Sequence, residues 1–203
     1  MGFIKKAMQS IYKWRLPGHT NSELAQADVI VALSFGGRVN GPGKSNVALA
    51  RLTEDLSRRY NLPVIAQWEI AHSSLDLQDK LLHIVRKARN KQLGRLTKII
   101  HTLTTKRVDE KDLGNYLDSY EVLMQAAEIC LKQGLKKAII VAHHDHLWRT
   151  SKIAEAVGFE PLHPFAQVTI YDEESVQKYT RSRWRFMMRE IPNRLYHLIC
   201  GLI

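Results

Sequence analysis

Short apolar runs rich in β-branched residues alternate along this chain with longer segments in which apolar residues recur at helical spacing. Strands are predicted within residues 28–34, 63–66, 96–103 and 137–142, and a fifth is expected within residues 161–170, around residues 168–170. Strands that alternate with helices usually form a parallel sheet whose two faces are covered by helices. The pattern therefore predicts an α/β fold, a Rossmann-like three-layer sandwich with a mostly parallel sheet.

Helical spacing of apolar residues predicts a helix after each of the first two strands. The stripe of the first helix consists of Ala48, Leu49, Leu52, Leu56 and Tyr60. The stripe of the second consists of Leu77, Leu81, Ile84, Val85 and Ala88. Ser73 or Ser74 can cap the second helix, and residues 104–115 predict a polar connection. The chain ends in a basic helix that Pro192 is expected to interrupt or kink.

The charge of the chain is concentrated at its two ends. Its 203 residues suit one domain and carry a formal net charge of +10. Residues 1–22 contain four basic and no acidic residues, and residues 178–203 contain six basic residues and one acidic residue. Residues 23–177, the predicted Rossmann-like domain, are nearly neutral. Both ends are predicted to be basic amphipathic helical segments, suited either to an anionic membrane surface or to packing on the domain.

Composition also limits which kinds of partner and which cellular compartment are expected. Nucleic acid is not expected as a partner, because no recognition motif accompanies the basic residues. The two cysteines, Cys130 and Cys200, lie in helical patterns, which favours a reducing compartment over a structural disulfide. The sequence contains no apolar run of about 18 residues, so no transmembrane helix is expected. Residues 1–16 lack the continuous apolar core of a signal peptide. We expect a cytoplasmic protein, with membrane association through its ends left open.

The strongest candidate site follows the fourth predicted strand, where residues 142–150 read AHHDHLWRT. Strand ends and helix N-termini meet there, and open α/β sheets bind ligands at such crevices. His143, His144 and His146 could contact an anionic or hydroxyl-bearing ligand or transfer a proton, with Arg149 on the same helical face as His146. A metal site is not predicted, because neighbouring residues on one turn seldom all reach one ion. The alternative is a helix cap formed by the histidines and a structural ion pair at Arg149.

A second candidate site is the glycine-rich loop after the first strand. Ser34, Gly36 and Gly37 would bring backbone N–H groups close to an anion, and Arg38 would add positive charge. The spacing is neither the dinucleotide-binding fingerprint nor a P-loop, since Arg38 stands where a P-loop needs its first glycine. A turn without a ligand is the alternative.

A third candidate site lies at a predicted helix start, where Ser119 and Glu121 share the sheet edge of the histidine segment. There they could bind hydroxyls or a cationic group of a ligand. Acidic residues in a first helical turn also stabilise the helix dipole, so simple capping is the alternative.

The histidine segment resembles a motif of the YdcF/SanA/ElyC family, bacterial proteins whose shared domain is largely of unknown function. In that family a strand is followed by Thr-Ser, two variable residues, His, two further residues, Arg and a small residue. His146 and Arg149 match its His and Arg, whereas Ala142 and His143 replace Thr-Ser. Residues 118–121 partly match an Asn-Thr-x-Glu-Asn segment of the family.

The resemblance extends over roughly residues 27–172 and includes the glycine loop at Gly36 and Gly37, although the family's Ser-Gly-Gly after the second strand is absent. It implies a Rossmann-like fold with a ligand cleft at the strand ends. It also implies a role in processes of the bacterial cell envelope, and S-adenosylmethionine as a candidate cofactor.

These observations favour a protein that binds a small anionic or nucleotide-like ligand at the carboxyl edge of its strands. A second hypothesis is a hydrolase or transferase that acts on a phosphorylated or cell-envelope metabolite, with His146 as its catalytic residue. A third is a peripheral membrane or partner-binding module that uses the basic ends. The sequence alone leaves open whether the protein is an enzyme.

Overall fold

A computed structural model describes residues 14–71, 73, 100–103 and 119–199. The apolar face of the helix predicted after Ser73 or Ser74 lies outside the described residues, and so does the polar connection of residues 104–115. Residues 1–13 of the basic N-terminal segment also lie outside them.

Five strands in the described part of the chain form one sheet, and every neighbouring pair is parallel. They are β1 (Val29–Ala32), β2 (Val64–Gln67), β3 (Ile100–Leu103), β4 (Lys137–Val141) and β5 (Glu160–Leu162). Their order across the sheet is β3-β2-β1-β4-β5. The first four predicted strands are confirmed, and so is the α/β Rossmann-like class.

The fifth strand lies earlier in the chain than the sequence pattern predicts. β5 occupies Glu160–Leu162, whereas Val168 forms only an isolated parallel bridge with His143. The expectation of a strand at residues 168–170 is therefore wrong. The β5 segment lacks a β-branched run, and its Pro161 is tolerated because β5 pairs on one side only, with β4, in the described sheet.

Helices cover both faces of this sheet. In the described ranges the α-helices are α1 (Asn21–Leu24), α2 (Gly43–Tyr60), α3 (Trp68–Ala71), α4 (Ser119–Leu131), α5 (His144–Ala156) and α6 (Arg183–Ile199). Successive side chains of a strand point to opposite faces. Ile30 and Ala32 of β1 thus pack with residues of α2, and Val29 and Val31 pack with residues of α4 and α5. No helix in the described ranges is long and apolar enough to cross a membrane.

The C-terminal helix α6 packs on the domain through one face, which carries Phe186, Glu190 and Arg194. The Arg194 side chain has no exposed surface, and its guanidinium lies 4.1 Å and 4.7 Å from the ring centroids of Trp14 and Trp148. Its Nε donates a hydrogen bond to Glu190 Oε1 at 3.1 Å. Cation–π and ionic contacts thus compensate for the lost hydration of a buried cation.

α6 continues through Pro192, where the sequence predicts an interruption or a kink. Proline removes one hydrogen bond to the carbonyl four residues earlier, which here belongs to Met188. Met188 and Pro192 are both exposed, so water can satisfy that carbonyl. An interruption is therefore not required by the chemistry of this position.

The burial of Arg194 predicts a large loss of stability when its side chain is removed. Arg194→Ala should lower the free energy of unfolding by about 3–5 kcal/mol, because Glu190 would lose a buried partner. Arg185→Ala, at an exposed position of the same helix, is the matched control and should change it by less than about 0.5 kcal/mol. Urea unfolding followed by tryptophan fluorescence measures both values. Equally small losses in the two variants would contradict this role of Arg194.

Candidate functional site

A cleft opens at the carboxyl ends of β1 and β4. The strand order reverses there, because β2 lies on one side of β1 and β4 lies on the other. Open α/β sheets bind ligands at such switch points. The cleft has a volume of about 200 Å³ and is lined by the loop after β1, the start of α4, the first two turns of α5 and the inner face of α6. We refer to it as the switch-point cleft.

His146, in the first turn of α5, lines the switch-point cleft. Its Nε2 lies 3.0 Å from Ser119 Oγ and 3.1 Å from Arg149 Nη2. Arg149 follows His146 by three residues, so both project from one face of α5, as their spacing predicts. The structure thus brings together three predicted site residues from two helices.

His146 Nε2 has more potential hydrogen-bond donors around it than it can accept from. A guanidinium only donates, so Arg149 Nη2 needs an acceptor, and a neutral imidazole nitrogen offers one lone pair. If Nε2 is unprotonated, the Ser119 hydroxyl and Arg149 compete for that lone pair. If Nε2 carries the proton, it donates to Ser119 and Arg149 Nη2 faces another donor. In either tautomer, one donor has no acceptor within the group formed by Ser119, His146 and Arg149.

Glu190 of α6 holds Arg149 from the other side. Arg149 Nε donates to Glu190 Oε1 at 2.9 Å, and Arg194 donates to the same oxygen. The second oxygen, Glu190 Oε2, is buried and has no hydrogen-bond partner among the described residues, and the same is true of Ser34 Oγ. Both residues line the switch-point cleft. Groups able to accept hydrogen bonds from a ligand therefore lie beside the under-satisfied donors.

The sequence does not predict the wall that α6 contributes to the cleft. Arg189, Glu190 and Asn193 line it, and the guanidinium of Arg189 lies 4.3 Å from the ring centroid of Tyr179. One signal was available, since Glu190 is the only acidic residue in the basic segment of residues 178–203. Its partner Arg149 lies 41 positions away, so local spacing could not reveal the pair.

His143 does not line the cleft, contrary to its predicted ligand contact. Its buried ring stacks on Phe35 with the centroids 3.8 Å apart, and its Nδ1 accepts a hydrogen bond from the Asp145 N–H at 3.3 Å. His143 is thereby the N-cap of α5, which satisfies one of the free N–H groups of a helix start. Burial lowers the pKa of His143 to about 4, so its ring is neutral at pH 7. For His143, the alternative of a helix cap is therefore the one that the structure shows.

His144 is also turned away from the cleft, where a ligand contact is predicted. Its Nδ1 contacts Gln167 Oε1, and its backbone N–H donates to the Val168 carbonyl at 2.8 Å. His143, His144 and His146 therefore have different hydrogen-bond partners, although the rings of His143 and His146 both lie near Phe35 and Phe186. Nowhere in the described ranges do three or more potential ligands cluster closely enough to hold a metal ion.

The glycine-rich loop after β1 mainly contacts the chain's own residues 172–180. Gly36 lines the cleft, but the Gly37 N–H donates to Ser175 Oγ at 3.3 Å and Gly37 lies outside the lining. Gly36 has a φ of 74°, and a Cβ there would overlap the hydroxyls of Ser175 and Thr180. Position 36 therefore requires glycine for a tight approach of two chain segments.

Arg38 does bind an anion, but that anion is the carboxylate of Asp172. Arg38 Nε and Nη2 each donate to Asp172 at 2.8 Å, and Lys44 in the first turn of α2 donates its N–H at 2.9 Å. Arg38 Nη1 also lies 2.7 Å from Glu174 Oε2. A carboxylate tethered to the same chain has a high effective concentration at this place. The predicted contact of Arg38 with a ligand is thus replaced by an internal ion pair.

The remaining predicted residues lie at the expected edge of the sheet. Ser34 lines the cleft, and so does Ser119, the first residue of α4. Glu121 lies in the first turn of α4, and its side chain is outside the described part of the chain.

No protein-family model matches this sequence, and comparisons with curated proteins and with solved structures find no match. The resemblance to the YdcF/SanA/ElyC family therefore stays a prediction, which depends mainly on the spacing of His146 and Arg149.

The Asp172 ion pair predicts a pH-dependent contribution to stability. Arg38 and nearby backbone N–H groups lower the pKa of Asp172 to about 2, because they stabilise the carboxylate. A carboxyl group with a lowered folded-state pKa stabilises the protein above its unfolded-state pKa, and this contribution is lost as the pH falls towards the folded-state value. Asp172→Asn should thus lower the free energy of unfolding by about 2 kcal/mol at pH 7.

Urea titrations across the acid range measure this effect, and the difference from wild type should shrink between about pH 4 and pH 2. Glu173→Gln, at the exposed neighbouring position, is the control and should differ by less than about 0.5 kcal/mol throughout. A difference for Asp172→Asn that stays constant with pH would rule out the proposed origin.

Proposed function

We propose that this protein binds a small anionic ligand in the switch-point cleft, with a phosphate or carboxylate group against His146, Ser119 and Arg149. The observation that carries the proposal is that His146 Nε2 lies within hydrogen-bond distance of both the Ser119 hydroxyl and Arg149 Nη2, so that either tautomer leaves one donor of the three residues without an acceptor among them. An anionic oxygen would supply the missing acceptor. Hydrogen bonds from a cation to an anion are also shorter and stronger than neutral ones.

The charges and orphan groups around the cleft support a nucleotide-like ligand. Arg189 is exposed and lines the cleft, where it would add positive potential for an anion. Glu190 Oε2 and Ser34 Oγ lack partners in the described structure and would accept hydrogen bonds from hydroxyl or ammonium groups. Nucleotides combine phosphate with ribose hydroxyls, and S-adenosylmethionine combines a carboxylate with an ammonium group and ribose hydroxyls. The resemblance to the YdcF/SanA/ElyC family favours the same class.

Thermal unfolding with inorganic phosphate, AMP and S-adenosylmethionine tests this proposal. A bound probe at a concentration of about one hundred times its Kd should raise the Tm by about 5–10 °C, because it stabilises only the folded state. Arg189→Gln should weaken the binding about tenfold through loss of a charged contact. Arg185→Gln, one turn away and outside the cleft lining, is the matched control and should bind as wild type does. An unchanged Tm with all three probes would overturn the proposal.

A second candidate function is hydrolysis or group transfer on a phosphorylated or cell-envelope metabolite, with Ser119 as nucleophile and His146 as base. The observation in its favour is the 3.0 Å distance between Ser119 Oγ and His146 Nε2, which is within reach for proton transfer. An anion that engages Arg149 would release the His146 lone pair. Nε2 could then accept the Ser119 proton while Oγ attacks the substrate.

Labelling with diisopropyl fluorophosphate tests this second function. Ser119 Oγ would form a bond to phosphorus, fluoride would leave with the electrons of the P–F bond, and the hydroxyl proton would pass to His146 Nε2. Mass spectrometry should locate the adduct on Ser119, and His146→Gln should slow labelling by about a hundredfold or more. The exposed Ser22 is the internal control and should stay unlabelled. No adduct on Ser119, or equal rates in the two proteins, would exclude this mechanism.

A further inference from the structure

The two faces of α6 differ in what they contact. The inner face carries Phe186, Glu190 and Arg194, which are buried against the domain. We define the outer face of α6 by its apolar residues at helical spacing, Trp184, Met188, Ile191 and Leu195. Trp184 is 70% exposed and Met188 58% exposed, and they lie one helical turn apart. Two large apolar side chains, a tryptophan and a methionine, are therefore exposed next to each other on this face.

The charge around this outer face is of one sign. Arg183, Arg185 and Arg189 of α6 are exposed, whereas the only acidic residue of the helix, Glu190, is 1% exposed and bound to two arginines. Arg183 lies 3.4 Å from the buried carboxylate of Asp145, and Arg189 lies over the Tyr179 ring beside the cleft. Arg185 follows Trp184 directly in the helix and lies at the border of the apolar stripe. The outer face therefore combines exposed apolar side chains with net positive charge.

We propose that the outer face of α6 docks on the surface of an anionic lipid bilayer. Tryptophan and other apolar side chains enter the boundary between headgroups and acyl chains, while arginines at the same level attract anionic lipids. Nucleic acid would use the arginines but leave Trp184 and Met188 uncovered. The charge and the apolar stripe together match a membrane surface better than either alone.

The contacts of the inner face keep α6 folded before it meets a membrane. Peripheral helices that fold on the membrane lose part of their binding energy in ordering the chain. α6 is already folded, because Arg194 and Glu190 anchor it to α5 and the rest of the domain. The same inner face lines the switch-point cleft, so a docked helix would present its apolar stripe to lipid and keep its cleft wall in place. The proposal does not depend on what the cleft binds.

Sedimentation of the full-length protein with vesicles tests the docking. The protein should sediment with phosphatidylcholine vesicles that contain phosphatidylglycerol and stay largely in the supernatant with phosphatidylcholine alone. The double variant Trp184→Ser/Met188→Ser should bind the anionic vesicles about tenfold or more weakly, because it buries less apolar area. Phe165→Ser is the matched control, since Phe165 is 73% exposed and belongs to the segment after β5, not to α6, and it should bind as wild type does. Arg185→Gln should weaken binding about fivefold.

Quenching of tryptophan fluorescence by brominated lipids gives an independent readout. Anionic vesicles with brominated phosphatidylcholine should quench the wild-type emission, and Trp184→Phe should remove most of that quenching. Sedimentation that does not distinguish the two lipid compositions, or that the double variant leaves unchanged, would overturn the proposal. Loss of duplex DNA binding in Arg185→Gln without any vesicle binding would assign the face to nucleic acid instead.

Discussion

The carboxylate of Glu190 is the contact on which the rest of this structure depends. One oxygen accepts hydrogen bonds from Arg149 and from Arg194, so a single acid links α5 to α6. Arg194 reaches further, to the rings of Trp14 and Trp148 and to the backbone carbonyl of Asp145 at 3.3 Å. Buried cations need such partners because they leave water. The basic C-terminal helix is consequently an integral wall of the switch-point cleft.

Two groups of hydrogen-bond donors lie at the same edge of the sheet, one at Arg38 and one at His146, and they differ in what they contact. Arg38 and the start of α2 are occupied by Asp172, and these contacts lower the pKa of its carboxyl group. At His146 the donors outnumber the acceptors within their own group. The first group closes the glycine loop on the chain, and the second leaves a cleft with unmet hydrogen-bonding capacity. For this reason our proposal places the ligand at His146.

The sequence predicted the sheet and the His146–Arg149 pair because both depend on local patterns. Apolar runs predicted β1, β2 and β4, and the spacing of three residues between His146 and Arg149 predicted that both lie on one face of a helix. Contacts between distant segments could not be predicted in this way. Asp172 lies 134 positions from Arg38, and the stacking of His143 on Phe35 depends on how two loops meet at the sheet edge. The position of the edge strand β5 was not predicted, because packing and not β propensity holds this short proline-containing segment in place.

The most direct test of an anion site at His146 is a nitrogen-15 NMR titration of the protein with inorganic phosphate at constant pH. We expect the ring nitrogens of His146 and the Nε of Arg149 to shift together with one saturation curve, since phosphate would replace their mutual hydrogen bond. His143, which caps α5 behind Phe35, should keep its resonances. If the resonances of His146 and Arg149 do not shift, the switch-point cleft is not the anion site. This conclusion holds whether phosphate shifts other resonances of the protein or none.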